Sequence, residues 1–307
     1  MSTSVASREE QPMFFEARDH VLFGILTQPT SNPRGVTVVS LPGGGTLSTN
    51  VNRLSVHFHR RMAASGFHSL RFDYHGVGES SGDLDRFDLA APFVADLEGA
   101  LDHLRANGLE RFVLVGSCFG ARTVLTAAPN VSGLEGVVLV SPPIRDFEMG
   151  ERIATRLAGE LSVGDFARRA VSRRGVSVVL NAKRRKAYYR VLREKLRYGR
   201  AGSEHPSASR QARYEVSPRF QDPLRDVAQR AIPVLLVYGD ADDLSSEFER
   251  AASGPLRDIA GLPNVRRITL SGTVHAFNDS EVAERVFDHV ATWINELPDG
   301  LREVTSP

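Results

Sequence analysis

The sequence predicts an α/β protein with a mostly parallel, twisted β-sheet and helices on both faces. Short apolar runs rich in valine, leucine and isoleucine alternate with segments whose apolar residues recur three and four positions apart. Nearly continuous apolar runs are typical of parallel strands covered on both faces, and the second spacing is typical of amphipathic helices. Strands that alternate with helices are joined by right-handed crossovers, which place the strands parallel in one sheet.

The elements follow one another along the chain in a regular order. A β-hairpin is expected first, over residues 14–17 and 21–27. The runs that predict parallel strands are residues 36–41, 68–72, 112–115, 136–140, 233–238 and 266–270. The helical spacing covers residues 51–65, 92–107, 121–128 and 279–296. Asp279 or Ser280 is expected to cap the last helix, because short polar side chains accept the free N–H groups of a first turn.

The composition is that of an ordinary globular protein. Of the 307 residues, 41% are apolar and 24% are charged, and the formal net charge is +1. So small a net charge predicts no general attraction to nucleic acid or to a membrane surface. The sequence contains no metal-ligand spacing, and no Gly-x-Gly-x-x-Gly follows the first parallel strand. We therefore expect neither a metal site nor a dinucleotide cofactor.

A single cysteine, Cys118, rules out a disulfide within the chain. A free thiol suits a reducing compartment, and we expect a cytoplasmic protein. The first twelve residues are polar and lack the apolar core of a signal peptide, and no later stretch is long enough to cross a bilayer. Secretion and membrane insertion are therefore not expected, and the sequence leaves the oligomeric state open.

The alternation of strands and helices is interrupted over residues 144–225. This segment is helical in pattern, has no strong strand signal and is far longer than an ordinary crossover. We expect a helical cap inserted between a first part of the core, residues 1–143, and a second part, residues 226–307. The segment contains twenty Lys/Arg and nine Asp/Glu, a net charge of +11, whereas the rest of the chain carries −10.

The positive charge of this segment is concentrated between Lys183 and Arg200, with Tyr188, Tyr189 and Tyr198 interleaved. A solvated helix face is one interpretation, because charge runs usually have that role. The other is a docking surface for an anionic partner, such as CoA or the phosphopantetheine arm of an acidic acyl carrier protein. Nucleic acid fits less well, because the rest of the chain is net acidic.

Residues 112–125, FVLVGSCFGARTVL, carry the strongest functional signal. An apolar run meets GSCFG and continues in a helical pattern, which is the strand, tight turn and helix context of a nucleophile elbow. Glycines two residues on either side let the turn close and hold the central side chain at the carboxyl edge of the sheet. Cys118 is therefore the predicted nucleophile, and the side chain of Ser117 is expected to point elsewhere. The alternative is that Cys118 is a small buried hydrophobe.

With this elbow, residues 36–296 resemble the α/β-hydrolase superfamily. The resemblance implies the α/β-hydrolase fold and the chain order nucleophile, acid, histidine. It places the acid at Asp242 of LLVYGDADD, with Asp240 and Asp243 as alternatives. It places the general base at His275 of SGTVHAF, in the loop between the last predicted strand and the last predicted helix.

The same resemblance implies two donors for the oxyanion of a tetrahedral intermediate. The first is the backbone N–H of Phe119, the residue after the nucleophile. The second lies in residues 41–46, LPGGGT, which are similar to the family's His-Gly-Gly-Gly segment with proline in place of histidine. Gly44 is the leading candidate and Gly45 the next, because glycines let the backbone approach a ligand closely. Residues 71–80 resemble the family's Asp-x-x-Gly-x-Gly-x-Ser stretch and support the fold.

A cysteine at the elbow predicts an acyl-cysteine intermediate. Next to His275 and at the amino end of a helix, its thiolate is expected to be stabilised near neutral pH. Dienelactone hydrolases, polyhydroxyalkanoate synthases and Cys-type thioesterases or cyclases are similar in their elbow, and they imply hydrolysis or transfer. The leading interpretation is a thioesterase or acyltransferase/cyclase acting on acyl groups linked to a carrier protein or CoA. A hydrolase of free esters or lactones is the second, and a non-catalytic scaffold that retains the fold is the third.

Overall fold

The computed structural model describes residues 10–29, 32–84, 87–146, 216–277 and 280–297. Within these residues eight strands form one sheet: β1 (Glu10–Ala17), β2 (His20–Thr27), β3 (Thr37–Leu41), β4 (His68–Phe72), β5 (Phe112–Ser117), β6 (Leu134–Val140), β7 (Val234–Gly239) and β8 (Val265–Leu270). Their order across the sheet is β1-β2-β4-β3-β5-β6-β7-β8. β1 and β2 form an antiparallel hairpin, β2 pairs antiparallel with β4, and the remaining pairs are parallel. The predicted hairpin and mostly parallel sheet are confirmed.

The described helices pack around this sheet in two groups. They are α1 (Leu54–Ala64), α2 (Val94–Ala106), α3 (Phe119–Ala127), α4 (Pro218–Gln229), α5 (Asp243–Ala252), α6 (Arg257–Ala260) and α7 (Ser280–Glu296). α1 contacts α7, whereas α3 contacts both α2 and α4. Val113 and Val115 of β5 belong to the core formed with α1 and α7, while Phe112 and Leu114 are equally buried. Because alternate residues of a strand face opposite sides, both faces of the sheet are covered.

Three of the described helices, α4, α5 and the short α6, were not predicted as separate helices from the sequence. α4 begins inside the predicted insertion, where the Ser217 side chain accepts the N–H of Arg219 (3.1 Å) as an N-terminal cap and Pro218 occupies the first position. α5 follows β7 and buries Leu244 and Phe248. These residues are four apart, so the helical spacing was present but short.

Most of the predicted cap, including the basic segment 183–200, lies outside the described residues. Its helical character, its boundaries and the role of its charge therefore stay predictions. The described ends of this segment are neighbours, because the Ser217 N–H donates to the Ile144 carbonyl (2.9 Å). None of the helices in the described ranges combines the length and the apolar character needed to cross a lipid bilayer.

Candidate active site

The turn between β5 and α3 presents Cys118. Its backbone has φ 50° and ψ −111°, a strained conformation that residues with a side chain rarely adopt. The flanking glycines are required by packing. A Cβ at Gly116 would collide with the backbone of Gly120, and a Cβ at Gly120 would collide with the carbonyl oxygens of Leu41 and Pro42. The spacing Gly-x-Cys-x-Gly thus follows from the close approach of strand, turn and helix, as the sequence predicts.

The predicted nucleophile and the predicted base meet at this turn. Cys118 Sγ lies 3.2 Å from His275 Nε2, which is hydrogen-bonding distance for sulfur. His275 opens a short 3₁₀ turn, His275–Phe277, shortly after β8. The thiol is buried, with 8% of Cys118 exposed, and the imidazole is half-buried. The topology therefore brings together two groups that are 157 residues apart in the chain.

Asp242 connects the loops that follow three neighbouring strands. Its Oδ2 accepts the N–H groups of Gly239 (3.1 Å), Val274 (3.0 Å) and His275 (3.0 Å). The Ser141 hydroxyl donates to the same oxygen at 3.3 Å. Among the hydrogen bonds of these described residues, the carboxylate binds the backbone of His275 and not its ring. Asp242 therefore holds the segment that carries the imidazole and places a negative charge beside it.

The two alternative acids have other environments. Asp240 is exposed, and its Oδ1 accepts the N–H of Gly272 (2.8 Å), which closes the loop after β8. Asp243 is the first residue of α5 and is half-buried. Asp242 is therefore the buried carboxylate of the three, with 6% exposed, and its hydrogen bonds reach the backbone of His275.

Burial determines the protonation states of the thiol and the imidazole. It raises the pKa of Cys118 to about 11, although the nearby Phe119 N–H acts in the opposite direction. It also lowers the pKa of His275, and the charge of Asp242 opposes that shift. At neutral pH the resting pair is therefore a thiol and a neutral imidazole. The expectation of a stabilised thiolate is wrong, because desolvation outweighs the helix N-terminus.

The predicted donor at Phe119 lies at the start of the helix that follows Cys118. Phe119 is the first residue of α3, so its N–H has no partner within the helix. This N–H interacts with the Cys118 sulfur. The Phe119 N–H therefore faces the sulfur of the predicted nucleophile.

The glycine loop after β3 lies against the nucleophile. A Cβ at Gly43 would be 3.6 Å from the Cys118 Cβ, which is ordinary contact. The loop turns at Gly44 and Gly45, because the Thr46 N–H donates to the Gly43 carbonyl (3.3 Å). Gly45 has φ +73°, a conformation that favours glycine. The two predicted donors thus occupy the corner of a turn next to Cys118.

Residues 71–80 support this loop, a role that the sequence did not indicate. The Tyr74 hydroxyl donates to the Pro42 carbonyl (3.2 Å), and Asp73 Oδ1 accepts the N–H of Ser48 (2.6 Å). Tyr74, Asp73, Pro42 and Ser48 are all buried. The loop after β4 therefore fixes both ends of the glycine loop.

Two further polar residues near the site were not predicted from the sequence. Ser141 follows β6, has φ 45° and donates to Asp242. Its place at the carboxyl end of a parallel strand is the signal that would have identified it. Arg122, in the first turns of α3, is fully buried and donates to the carbonyls of Pro143 (3.1 Å) and Leu89 (3.1 Å). A buried arginine of this kind has no sequence signal.

Ser117, the residue before the nucleophile, faces a separate small cavity. Ser40, Ser55 and Phe277 line that cavity with it, whereas Cys118 and His275 do not. Its side chain therefore does not share the position of the nucleophile. Elsewhere in the described ranges, no group of three or more His, Cys, Asp and Glu side chains could hold a metal ion.

A family model described as serine aminopeptidase S33 (Hydrolase_4) matches residues 32–279, which is most of the chain. No curated protein sequence matches the chain significantly.

Solved structures share the fold at low sequence identity. The esterase Pf2001 of Pyrococcus furiosus superposes with a TM-score of 0.58 at 16% identity, covering 97% of this chain and 96% of the esterase. Proline iminopeptidase of Mycobacterium smegmatis gives 0.54 at 20% identity, with coverages of 93% and 98%. An alpha-beta serine hydrolase homologue of Coxiella burnetii gives 0.56 at 16% identity, with coverages of 95% and 100%. At such identities the likeness establishes the predicted α/β-hydrolase fold and no substrate.

Proposed function

The chain belongs to the serine aminopeptidase S33 family (Hydrolase_4), and on that premise we propose that it hydrolyses free carboxylic esters or lactones through an acyl-Cys118 intermediate. The family makes the chain a hydrolase of the α/β-hydrolase type. One observation carries the specific chemistry: the 3.2 Å between Cys118 Sγ and His275 Nε2 at the elbow. The family description names serine, whereas this elbow has cysteine, so the proposed intermediate is a thioester.

Acylation begins when a substrate carbonyl reaches the elbow. The Cys118 thiol transfers its proton to His275 Nε2 while the sulfur bonds to the carbonyl carbon. The carbonyl electron pair moves to the oxygen, where the N–H groups of Phe119 and Gly44 stabilise it, with Gly45 as the alternative donor. The C–O bond to the leaving group then breaks, and the imidazolium proton passes to the departing alcohol oxygen. Acyl-Cys118 and neutral His275 remain.

Deacylation repeats these steps with water. His275 accepts a proton from a water molecule whose oxygen bonds to the thioester carbon, and the same N–H groups stabilise the oxyanion. The C–S bond breaks, and the departing sulfur takes the proton back from His275. The sum of both halves is ester plus water giving acid plus alcohol.

Because Cys118 and His275 are both uncharged before the substrate binds, we expect this pair to cleave esters more readily than amides. No buried ion pair exists before substrate arrives, so the proton must move as the S–C bond forms. An alcohol leaves with less help from an acid than an amine does, which makes an ester the easier substrate for this pair. Asp242 acts as a positioning residue, because its charge stabilises the imidazolium when it forms.

Acyl transfer from a carrier protein or CoA is the second candidate. Its support is the basic segment between Lys183 and Arg200 in the sequence. A docking surface of this kind predicts turnover of acyl-carrier thioesters that falls steeply with salt. Comparison of kcat/KM for such a thioester and for a p-nitrophenyl ester, at 50 mM and 500 mM NaCl, separates the two candidates. A faster, salt-sensitive carrier reaction would favour transfer, and a salt-insensitive rate would remove the docking surface.

Trapping of the intermediate tests the proposed function directly. The protein is mixed with p-nitrophenyl butyrate, quenched in acid and digested for mass spectrometry. We expect a butyryl adduct on the peptide that contains Cys118, absent in Cys118→Ala and retained in the matched control Ser117→Ala. An adduct that persists in Cys118→Ala would refute the assignment of the nucleophile. No adduct and no turnover across a broad panel of esters would favour the non-catalytic scaffold.

A further inference from the structure

An aromatic cluster lies beside the elbow, and its side chains take no part in the steps above. Its members are Tyr74, Phe87, Phe93 and Phe119. The Phe87 ring centroid lies 4.9 Å from that of Phe119 and 5.4 Å from that of Phe93. The other three side chains are buried, whereas Phe87 is only partly buried. Phe87 is therefore the member of the cluster whose ring a ligand can contact.

Phe87 borders both segments that supply the predicted oxyanion donors. Phe119 directly follows the nucleophile, and its ring contacts that of Phe87. On the other side, a Cβ built on Gly45 would lie 3.9 Å from Phe87 Cε2, which is ordinary van der Waals contact. The accessible part of the Phe87 ring thus adjoins the place of the substrate carbonyl group.

The strand order separates the surroundings of Phe87 from those of His275. Cys118 follows β5, the glycine loop follows β3 on one side of it, and His275 follows β8 on the other. His275 gives its proton to the departing alcohol, so the leaving group lies on the side of β7 and β8. The acyl group then extends toward β3 and Phe87, because the two substituents of a carbonyl carbon point apart.

We infer that Phe87 forms the wall of the acyl subsite and favours esters whose acyl group is a planar aromatic ring. This inference rests on the proposed ester hydrolysis. The rings of Phe87, Phe93 and Tyr74 meet that of Phe119 at 81°, 69° and 90°. Aromatic rings prefer this edge-to-face geometry, which contributes roughly 2- to 12-fold in affinity for each pair. An aromatic acyl group would contact the exposed part of the Phe87 ring in the same edge-to-face geometry.

Two p-nitrophenyl esters that differ only in the acyl ring test the inference: the benzoate and the cyclohexanecarboxylate. Their bulk is similar, but only the first has an aromatic ring. Phe87→Leu keeps an apolar side chain and removes the ring, and Phe14→Leu makes the same change at an exposed aromatic residue of β1. We expect Phe87→Leu to raise KM for the benzoate and reduce its kcat/KM preference over the cyclohexanecarboxylate by about 3- to 10-fold. Phe14→Leu should leave this preference unchanged.

A second pair of substrates tests the side of the carbonyl on which Phe87 lies. Phenyl acetate and ethyl acetate share one acyl group and differ in the leaving group, so Phe87→Leu should leave their ratio unchanged. If Phe87→Leu changes the ratio for phenyl acetate and ethyl acetate but not the ratio for the benzoate and the cyclohexanecarboxylate, the proposed acyl subsite is overturned. An unchanged acyl preference in an active Phe87→Leu protein would overturn the role of Phe87 and leave ester hydrolysis standing. Failure of the wild-type protein on all four esters, without a Cys118 adduct, would instead overturn the proposed function and the subsite with it.

Discussion

Two histidines of this protein lie against a nucleophilic side chain, and their surroundings differ. His275 Nε2 is 3.2 Å from Cys118 Sγ, and His59 Nε2 is 2.5 Å from Ser40 Oγ. By distance alone the second pair is the closer. His59 is nevertheless fully buried between α1 and the sheet, and its Nδ1 lies 2.5 Å from Ser69 Oγ. His275 is half-buried and stands beside the elbow and the glycine loop.

The two imidazoles also face opposite charges. Burial lowers both pKa values. At His275 the negative charge of Asp242 opposes the shift, whereas at His59 the positive charge of Arg71 adds to it and the pKa falls to about 3. Protonation during a reaction is therefore possible at His275 and prohibitive at His59. We therefore expect the pair at His275 to be the catalytic one, because its charged imidazole is stabilised and accessible, and the pair at His59 to be structural.

Replacement of His275, the accessible imidazole, should have the largest effect on the rate of the reaction. We expect His275→Ala to reduce kcat/KM for p-nitrophenyl butyrate by at least ~10⁴-fold, because the proton of Cys118 then has no acceptor. The melting temperature should change little, since the imidazole is half-buried and contacts solvent. Steady-state kinetics and circular dichroism measure the two quantities. A loss of less than tenfold would place the general base elsewhere.

Replacement of the buried imidazole should affect stability and spare the chemistry. We expect His59→Ala to lower the free energy of unfolding by about 2–4 kcal/mol, because it leaves a cavity and removes the partner of the buried Ser69 hydroxyl and of the half-buried Ser40 hydroxyl. Urea denaturation at pH 7.5 measures this change. The kcat/KM of the folded variant should stay within about threefold of wild type. A catalytic defect as large as that of His275→Ala would erase the distinction between the two pairs.

His59 should also make the fold sensitive to acid. Its pKa is lowered in the folded state to about 3, from a usual value of 6.5, so below pH 6.5 the unfolded chain binds the proton more readily. Its contribution to stability is complete above pH 6.5 and declines by up to about 1.4 kcal/mol per pH unit as the pH falls toward 3. Urea titrations at several pH values should show a shallower decline for His59→Ala than for wild type.

The pH dependence of the reaction should report the neutral resting pair. The reaction needs an unprotonated His275, so kcat/KM should fall about tenfold per pH unit below a midpoint that lies under 6.5. Because the pKa of Cys118 is raised to about 11, no second transition is expected between pH 7 and 9.5. A transition near neutral pH that reports a thiolate would contradict the neutral pair.

Removal of the Ser141 hydroxyl, which donates to Asp242, should have the smallest effect on the reaction. Ser141→Ala takes away one of four hydrogen bonds to Asp242 Oδ2 and leaves the three backbone donors. We expect kcat to fall by no more than about tenfold and the acid midpoint of kcat/KM to shift slightly. Val140→Ala, at the last residue of β6 and directly before Ser141, is the control for packing. A loss comparable to that of His275→Ala would make the hydroxyl indispensable.

The sequence predicted the architecture correctly, and it predicted that Cys118 and His275 lie together, which they do at 3.2 Å. The apolar runs predicted the parallel strands, and the two glycines around Cys118 predicted a turn that only glycines allow. The order of the strands then placed His275 at the correct edge of the sheet. α4, α5 and α6 were not predicted as separate helices. The apolar positions of α4 and α5 are few and polar residues dominate them, and α6 has only four residues.

By itself, then, the sequence determined the fold, the elbow and the side chains that gather at the carboxyl edge of the sheet. Only the tertiary structure singled out Asp242 by its burial, revealed the hydrogen bond from Ser141 and the Phe87 ring beside the glycine loop, and decided that thiol and imidazole rest uncharged. The physical reason is that strand and turn patterns are local, whereas desolvation depends on which distant segments pack around a group. From the sequence, a cysteine at a helix N-terminus is expected to be deprotonated, whereas burial in the surrounding core keeps Cys118 protonated.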